Sequence, residues 1–444
     1  MQTLSNQVPD RGRPALGPQL RALRLAARLS QKQLADVSTL SVRAIRDIEN
    51  GRVRQPRRDT CRLLVKALDL RTGRRDALRV FDSADTPAPG ADAPAGLEPL
   101  APPVGNGPLI GRRDELSTLT RLFTTEQRRL ITLTGIGGVG KSRLAQELAR
   151  TLYERDGTSV LWVRLDEAAG GGRPQGGVAA AVSARARELV HTGPEGARRI
   201  GELLGDGDTL LVLDGARSYG ELAGLVPPLH GECPRLRVLI TARSATGTAA
   251  NAVFPLAPLP VPLAEPHPCV ATTEANASVQ VFLTYVQHMR PAFRLNGANV
   301  AAVVRTCRAL DGLPMALELA ARWSLVYSPW QLARQLAADP LLVTRPPEGW
   351  AGGVPGVLES VRDAVDALTH RQGALLTAML KRGGYWTMAE AAEAVGTGLA
   401  EAADDTYALL LHGLLRRTDC AGQTLFETLN IVRSLRTGRP VAAT

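Results

Sequence analysis

The sequence predicts a multidomain chain, with an all-α domain first, an α/β domain with a parallel sheet next, and further helical domains at the end. Three patterns predict this order. Apolar residues at helical spacing occupy the first part, β-branched runs alternate with helical patterns in the middle, and helical patterns alone fill the remainder. A length of 444 residues allows roughly two to four domains, and 44% apolar residues can form large cores.

Positive charge is concentrated at the N-terminal end of the chain. Residues 1–80 contain 18 Lys and Arg residues against 7 Asp and Glu, although the formal net charge of the whole chain is only +10. The remaining residues are almost balanced, with 35 basic against 36 acidic side chains. An excess confined to one segment favours a polyanionic partner for that segment alone.

The first domain is predicted at residues 15–82, after an N-terminus expected to be disordered over 1–14. A helical stripe reaches Leu29, a second helix follows from Gln31 to Val37, and a third runs from Val42 to Glu49. Ser30 and Ser41 are suitable N-caps for the last two helices. Two short helices joined by a tight turn form the helix-turn-helix unit, whose second helix enters the major groove. A small bundle with a solvated basic face is the alternative.

DNA contacts are expected from both helices and from the basic segment that follows them. The candidates are Gln31, Lys32, Gln33, Ser41, Arg43, Arg46, Arg52, Arg54 and Arg57. Residues 20–27, 29–35 (Leu-Ser-Gln-Lys-Gln-Leu-Ala) and 40–51 resemble the xenobiotic-response-element type of helix-turn-helix, the lambda-repressor-like class. The resemblance implies binding to double-stranded DNA. It departs at the turn, where the family commonly has Gly and this chain has Thr39.

Residues 83–108 are predicted to be a linker. Pro, Ala and Gly dominate this stretch, and it has no periodic apolar face. Such a composition is typical of an extended, semi-flexible tether. We therefore expect the domains on either side of it to reorient relative to each other.

A Gly-rich loop is predicted between a β-branched strand from Leu130 and a helix from Ser142. Gly135 to Ser142 have the spacing G-x-x-x-x-G-K-S, in which backbone N–H groups wrap a phosphate, the lysine reaches the β/γ-phosphates and the serine ligates Mg²⁺. The alternative is a Gly-rich turn carrying a surface lysine. With only 4 Lys against 49 Arg in the chain, an ordinary basic surface position would be Arg, which favours the nucleotide site.

Three more apolar runs predict strands of a parallel sheet in a domain at residues 109–265. They are Ser159–Leu165, Thr209–Asp214 and Arg237–Arg243. Asp214 ends its strand where a carboxylate could hold Mg²⁺ through the water shell of the metal. Arg243 ends the next strand and could sense a γ-phosphate, with an ordinary surface arginine as the alternative.

Five motifs in this order resemble the signal-transduction ATPases with numerous domains (STAND), specifically the NB-ARC branch, over roughly residues 109–435. They are Gly111-Arg112, the phosphate loop, Asp214, Arg243 and Gly312-Leu313-Pro314. The resemblance implies a P-loop NTPase fold that binds ATP or ADP with Mg²⁺, followed by a helical domain at 266–355 and a winged-helix domain at 356–444. The implied metal ligands are Ser142 and Asp214, and the implied nucleotide-binding residues are Gly111, Arg112, Gly135, Gly137, Gly138, Val139, Gly140, Lys141, Ser142, Arg143, Arg243 and Pro314.

The chain departs from this family in three places. Gly215 follows Asp214 where relatives carry a residue that could orient the attacking water, so we expect at most a slow ATPase. Histidine is absent from the closing segment at 426–433, where relatives use one to contact ADP. No repeat sensor follows, so the sensor is missing, supplied by an unidentified partner, or the nucleotide domain itself.

Together these patterns predict a cytoplasmic, nucleotide-switched transcriptional regulator that forms a homo-oligomer when ATP is bound. The five cysteines form no C-x-x-C pair, and no long apolar run predicts a membrane segment. Regulation of a secondary-metabolite gene cluster is a hypothesis from the resemblance. The alternatives are an active ATPase or small-molecule kinase, and an oligomerising defence-type scaffold that binds nucleic acid without sequence preference.

Overall fold

The computed structural model describes residues 20–21, 24, 29–38, 40–50, 60, 64, 100–103, 107–165, 186–204, 207–244, 253–263, 265, 267–344, 357–420 and 422–437. The chain divides into two compact units, residues 1–94 and 95–444. Several predicted features lie outside the described residues: Thr39, most of the linker, and the DNA-contact candidates Arg52, Arg54 and Arg57.

The first unit contains the predicted helix pair, α1 (Gln31–Ser38) and α2 (Val42–Glu49). Ser30 and Ser41 both act as N-caps, since their hydroxyls accept the backbone N–H groups of Gln33 and Ala44 at 3.1 Å. Apolar residues from several turns form the shared core, namely Leu20, Leu29, Leu34, Ala35, Ile45, Ile48 and Leu64. The two predicted helices are therefore present, and their apolar residues form one core.

A buried ion pair holds this small unit together. Arg24 donates to both carboxylate oxygens of Glu49, at 2.6 and 3.1 Å, and both residues are almost fully buried. Gln31 donates to the same carboxylate at 2.7 Å. Burial alone would raise the pKa of Glu49, but the hydrogen bonds from Arg24 and Gln31 hold it below the ordinary value.

The second unit is built around a parallel sheet, which confirms the predicted α/β class. Its strand order is β2-β3-β4-β1-β5, and every neighbouring pair is parallel. The strands are β1 (Leu130–Thr134), β2 (Ser159–Arg164), β3 (Thr209–Ser218), β4 (Arg237–Ser244) and β5 (Val253–Pro255). This order brings the carboxyl ends of β3, β4 and β1 side by side, which is where open parallel sheets bind their ligands.

Helices cover both faces of this sheet, so its strands are apolar on both sides. Alternate residues of β3 enter two different cores: Leu210 and Val212 face one, while Leu211 and Leu213 face the other. The flanking helices are α3 (Arg113–Thr124), α4 (Lys141–Asp156), α5 (Gly193–Leu204) and α6 (Val226–Glu232). Residues 186–190 are also helical.

The rest of the unit is mainly helical, with a second, antiparallel sheet of order β6-β8-β7. The helices are α7 (Val270–Glu274), α8 (Ala277–Met289), α9 (Val300–Ala309), α10 (Pro314–Trp323), α11 (Pro329–Ala338), α12 (Val357–Asp366), α13 (His370–Arg382), α14 (Met388–Val395), α15 (Leu399–Leu411) and α16 (Asn430–Thr437). The strands are β6 (Tyr385–Trp386), β7 (Leu415–Cys420) and β8 (Gln423–Thr428). Within the described ranges, no helix is long and apolar enough to cross a membrane.

Two predicted elements have different bounds in the structure. The resemblance implies one segment of the winged-helix domain at Tyr407–Arg416, but the structure splits it, because α15 ends at Leu411 and Gly413 turns the chain with φ of +69° into β7. The strand predicted to end at Asp214 continues to Ser218 through a β-bulge between Asp214 and Ala216. Neither difference concerns β1 or β4.

A buried carboxylate joins the Gly-Leu-Pro turn before α10 to the last helix of the chain. Asp311 Oδ2 accepts the backbone N–H of Ile431 at 3.0 Å, at the start of α16. Arg416 in β7 donates to the backbone carbonyl of Asp311 at 2.7 Å. Burial raises the pKa of Asp311 to about 6, although the positive charge of Arg416 opposes that shift. The C-terminal region is thereby fixed to the loop that borders the candidate site.

Candidate functional site

The phosphate loop connects β1 to α4 and lines a cavity of about 890 Å³. The loop curls at Gly138 and Gly140, whose φ angles of +79° and +103° are readily adopted only by glycine. Helix α4 begins at Lys141, so its first backbone N–H groups lack intrahelical partners and face the loop. This arrangement forms an anion-binding site at a helix N-terminus.

A chain of hydrogen bonds fixes the carboxylate next to the loop. Ser142 Oγ donates to Asp214 Oδ1 at 2.6 Å, and Thr241 Oγ1 donates to the same oxygen at 2.6 Å. The backbone N–H of Gly215 in turn donates to Thr241 Oγ1 at 2.9 Å. The two residues predicted to hold a metal are therefore in direct contact, although 72 positions separate them in the sequence.

Gly215 has a structural explanation. It lies in the β-bulge of β3 with φ of +91°, in the left-handed region that side chains other than glycine rarely adopt. A carboxylate-bearing residue at this position would strain the bulge. The backbone conformation therefore favours glycine at position 215, and glycine also lacks the side chain that could orient a water molecule.

The side chain of Lys141, the first residue of α4, reaches back to the start of the loop. Its Nζ donates to the backbone carbonyls of Gly135 at 2.6 Å and Ile136 at 3.1 Å. Burial and the nearby charge of Arg243 together lower its pKa from 10.5 to about 8, although the charge of Asp214 opposes the shift. A bound polyphosphate would favour the charged ammonium and reverse this effect.

Helix α12 packs directly on the phosphate loop. Ser360 Oγ accepts the backbone N–H of Gly137 at 2.6 Å, and Asp363 forms an ion pair with Arg243 at 2.5 Å. On the other side, the backbone N–H of Met315 in α10 donates to the carbonyl of Gly138 at 3.2 Å. The loop is thus held by two helices that are distant from it in sequence.

Apolar side chains also line the cavity. Leu109, Ile110, Leu259, Val281 and Tyr285 line it, and Pro314 borders it at the start of α10. Apolar walls beside a few convergent polar groups are typical of a small-molecule site. The cavity can therefore accommodate a base at one end and phosphates at the other.

The structure places most of the predicted nucleotide residues in the cavity wall: Arg112, Gly137, Gly138, Val139, Gly140, Lys141, Ser142, Arg143, Arg243 and Pro314. Arg112 is buried, however, and its guanidinium donates to the carbonyls of Val139 and Ala257 and pairs with Glu115. Gly111 packs closely against Ala277, and the carbonyl of Gly135 accepts from the lysine of the loop. Arg112, Gly111 and Gly135 therefore support the site through contacts within the protein.

The described DNA-contact candidates fall into two groups. Lys32, Arg43 and Arg46 are exposed, and the Arg43 side chain is 92% accessible. The side chains of Gln31, Gln33 and Ser41 instead make hydrogen bonds within the unit, to Glu49, to the Ser30 backbone and to the Ala44 backbone. The exposed basic side chains are the better candidates for contacts with a polyanion.

Family models match two parts of the chain. Residues 20–73 match the model described as helix-turn-helix, and residues 114–255 match the model described as NB-ARC domain. The chain combines a helix-turn-helix domain with an NB-ARC domain. Both predicted family resemblances, to the helix-turn-helix and to the NB-ARC domain, are confirmed. The matched ranges lie inside the predicted domains at 15–82 and 109–265, whose outer bounds remain predictions.

The chain is similar to two mycobacterial proteins. One, from Mycobacterium tuberculosis, carries the provisional name HTH-type transcriptional regulator and is 31% identical over 319 residues, which are 69% of this chain and 33% of that protein. An uncharacterised M. tuberculosis protein is 28% identical over 240 residues, 50% of this chain and 52% of its own length. The chain thus spans about a third and about half, respectively, of the curated relatives it matches.

Among solved structures, the chain is similar to a STAND protein with a tetratricopeptide repeat sensor from Pyrococcus horikoshii. The identity is 13%, the alignment covers 78% of this chain and 44% of that chain, and the TM-score is 0.28. A likeness at this level adds nothing to the assignment above.

Three functional side chains were missed by the sequence analysis. Thr241 lies inside β4 and orients Asp214, while from α12 Ser360 reaches the loop and Asp363 reaches Arg243 at the end of β4. Thr241 stands two residues before Arg243, so its position in a strand next to Asp214 was a usable signal. Ser360 and Asp363 had none, because their approach depends on the packing of α12.

We expect Lys141 to titrate near pH 8, about two units below an exposed lysine. Competitive acetylation followed by mass spectrometry, from pH 7 to 11, measures this directly because the chain has only 4 lysines. Lys32 and Lys381 are exposed and serve as internal controls. If Lys141 gains reactivity together with those two, near pH 10, the loop is more hydrated than the structure indicates.

Proposed function

We propose that this chain is a nucleotide-controlled, DNA-binding transcriptional regulator. The observation that carries the proposal is the presence of two polyanion sites in one chain, each built from its own unit: exposed arginines on α2, and the phosphate loop with Lys141 and Asp214. The helix-turn-helix and NB-ARC matches support the same combination. The mycobacterial relative with a regulator name supports the transcriptional role.

The nucleotide we propose is ATP or ADP. The cavity pairs an apolar end with a loop of backbone N–H groups and a lysine, as a nucleoside polyphosphate requires. The choice of adenine follows from the NB-ARC match. Arg243 would meet the terminal phosphate, because it ends β4 beside the loop and lines the same cavity.

The residues present fit Mg²⁺. Ser142 and Asp214 offer oxygen atoms 2.6 Å apart, and the ion prefers oxygen ligands with several waters retained. When bound, Mg²⁺ would bridge and neutralise phosphate oxygens. Thr241 would keep the Asp214 carboxylate turned toward Ser142, since it donates to the same oxygen.

Turnover should be slow. Apart from Asp214, which would hold the metal, Glu318 is the sole carboxylate among the described residues that line the cavity, and it is hydrogen-bonded to Arg322 at 2.8 Å. Gly215 cannot orient a water molecule through a side chain. We therefore infer hydrolysis on the order of 10⁻³ s⁻¹, as in P-loop proteins that lack an activating residue. A single-turnover assay showing rates above about 1 s⁻¹ would favour the ATPase or kinase alternative.

DNA binding is assigned to α2 and the basic residues around it. Arg43 and Arg46 extend from the exposed face of the second helix, the one that enters the major groove in such units. We propose that ATP-bound chains associate, so that two of these units read half-sites roughly 34 Å apart. Control of a secondary-metabolite cluster stays a hypothesis, which gel shifts across neighbouring promoters can reject if they bind no better than random DNA.

We expect Arg46→Ala to lower affinity for a selected DNA site by about ten- to hundredfold, because a base contact contributes roughly 1–3 kcal/mol. The site is first obtained by selection from a random duplex library, and affinity is then followed by fluorescence anisotropy at several salt concentrations. Arg334→Ala, an exposed arginine in the other unit, is the charge-matched control. Equal loss on selected and random DNA would instead support the non-specific scaffold.

We expect Lys141→Ala to weaken ADP and ATP binding at least about tenfold, because a buried, charge-assisted contact is lost. Calorimetry measures this loss, and Lys381→Ala, an exposed lysine, should bind like the wild type. DNA selected with ADP, with ATP and with neither should differ for the wild type and not for Lys141→Ala. Identical DNA selection by the wild type under all three conditions would contradict nucleotide control.

A further inference from the structure

A second cavity, of about 750 Å³, lies among four helices of the C-terminal region. Its walls come from the end of α12 and from α13, α14 and α16. Among the described residues, none lines both this cavity and the one at the phosphate loop. Its volume lies in the range of roughly 300–1,000 Å³ that small-molecule sites have. The second unit therefore offers a separate place for a ligand.

One face of α13 forms the floor of this cavity. The floor residues recur every three or four positions, as one helix face requires, and they are His370, Gly373, Ala374, Thr377, Ala378 and Lys381. The four in the middle are small, and a Cβ atom built on Gly373 would meet nothing within 4 Å. Val365, Leu368 and Ala394 add apolar surface at the sides. The floor and sides can therefore accept an apolar group.

Basic side chains surround this floor. Lys381 and the imidazole of His370 lie at its two ends, and Arg436 reaches it from α16. All three side chains are exposed, and no carboxylate is found among the described residues that line the cavity. The polar groups around the apolar floor thus favour negative charge.

The carboxylates near the cavity are paired with other arginines. Arg371 forms an ion pair with Asp405 at 2.8 Å, and Arg382 forms one with Glu390. These arginines directly follow the imidazole and precede no cavity residue of their own, whereas Lys381 and Arg436 form no ion pair with any described carboxylate. The positive charge at the cavity is therefore available to an anion, and the apolar floor beside it strengthens that attraction relative to bulk water.

We propose that this cavity binds a small organic anion, with a carboxylate or phosphate head group at Lys381 and Arg436 and a short apolar body on the floor of α13. The head group would satisfy both cations, and the apolar body would cover the small residues between Gly373 and Ala378. The inference does not depend on the proposed nucleotide function, because the two cavities share no described residue.

The test titrates the full chain with four probes in ligand-observed NMR. Octanoate, octylammonium and octanol share one apolar body and differ in the head group, and inorganic phosphate has no apolar body. The variants are Lys381→Gln with Arg436→Gln, which removes the charge, and Ala374→Phe, which fills the floor at an exposed position. Arg382→Gln is the matched control, because its guanidinium is paired with Glu390. Melting curves verify that each variant is folded.

We expect octanoate to bind with a dissociation constant on the order of a millimolar or below, which is usual for a ligand of this size. Octanol, octylammonium and inorganic phosphate should bind at least about tenfold more weakly. The double charge variant and Ala374→Phe should each lose at least about tenfold in octanoate affinity, and Arg382→Gln should match the wild type.

Three results would overturn the inference. Octanoate and octylammonium binding equally would show that the cations select nothing, and inorganic phosphate binding as well as octanoate would show an adventitious ion only. Octanoate binding that survives in a folded Ala374→Phe variant but disappears in Lys141→Ala would place the ligand at the phosphate loop. The proposed nucleotide function would be unaffected by any of them, since calorimetry with ADP tests it separately.

Discussion

The close approach of helices α10 and α12 to the backbone of the phosphate loop is the constraint on which the rest of the second unit depends. The loop must leave its N–H groups exposed to an anion, and it must also be covered by α10 and α12. Gly137 and Gly138 make both conditions compatible, because they present no Cβ atom to Ser360 or Met315. A larger residue at either position would push the loop away from α10 and α12.

The parallel sheet supplies the rigid part of this arrangement. Because β3, β4 and β1 are neighbours, Asp214, Arg243 and the loop emerge at one edge, and the bulge at Gly215 turns the backbone so that its N–H supports Thr241. The C-terminal region meets this edge through hydrogen bonds, one ion pair and apolar contacts, since Val357 and Val361 of α12 lie in the same core as Leu133 and Ile136.

Local sequence patterns predict several elements of the structure. The glycine spacing, the run of apolar residues before it and the serines at helix starts were sufficient to predict β1, α4, α1 and α2, because each depends on neighbouring residues. The roles of Arg112, Gln31 and Gln33 were harder to predict, since exposed and internally bonded polar side chains look alike in a sequence. Ser360 and Asp363 could not be found at all: they meet Gly137 and Arg243 across more than a hundred residues, through tertiary packing.

The central claim is that occupancy of the phosphate loop decides whether α12 stays docked on it. Hydrogen–deuterium exchange of the peptide covering 357–366 tests it most directly, in the presence of saturating Mg·ADP or a non-hydrolysable Mg·ATP analogue. The account predicts that this peptide is protected with ADP and exchanges at least about tenfold faster with the analogue. Equal protection under both conditions, with both nucleotides demonstrably bound, would contradict it.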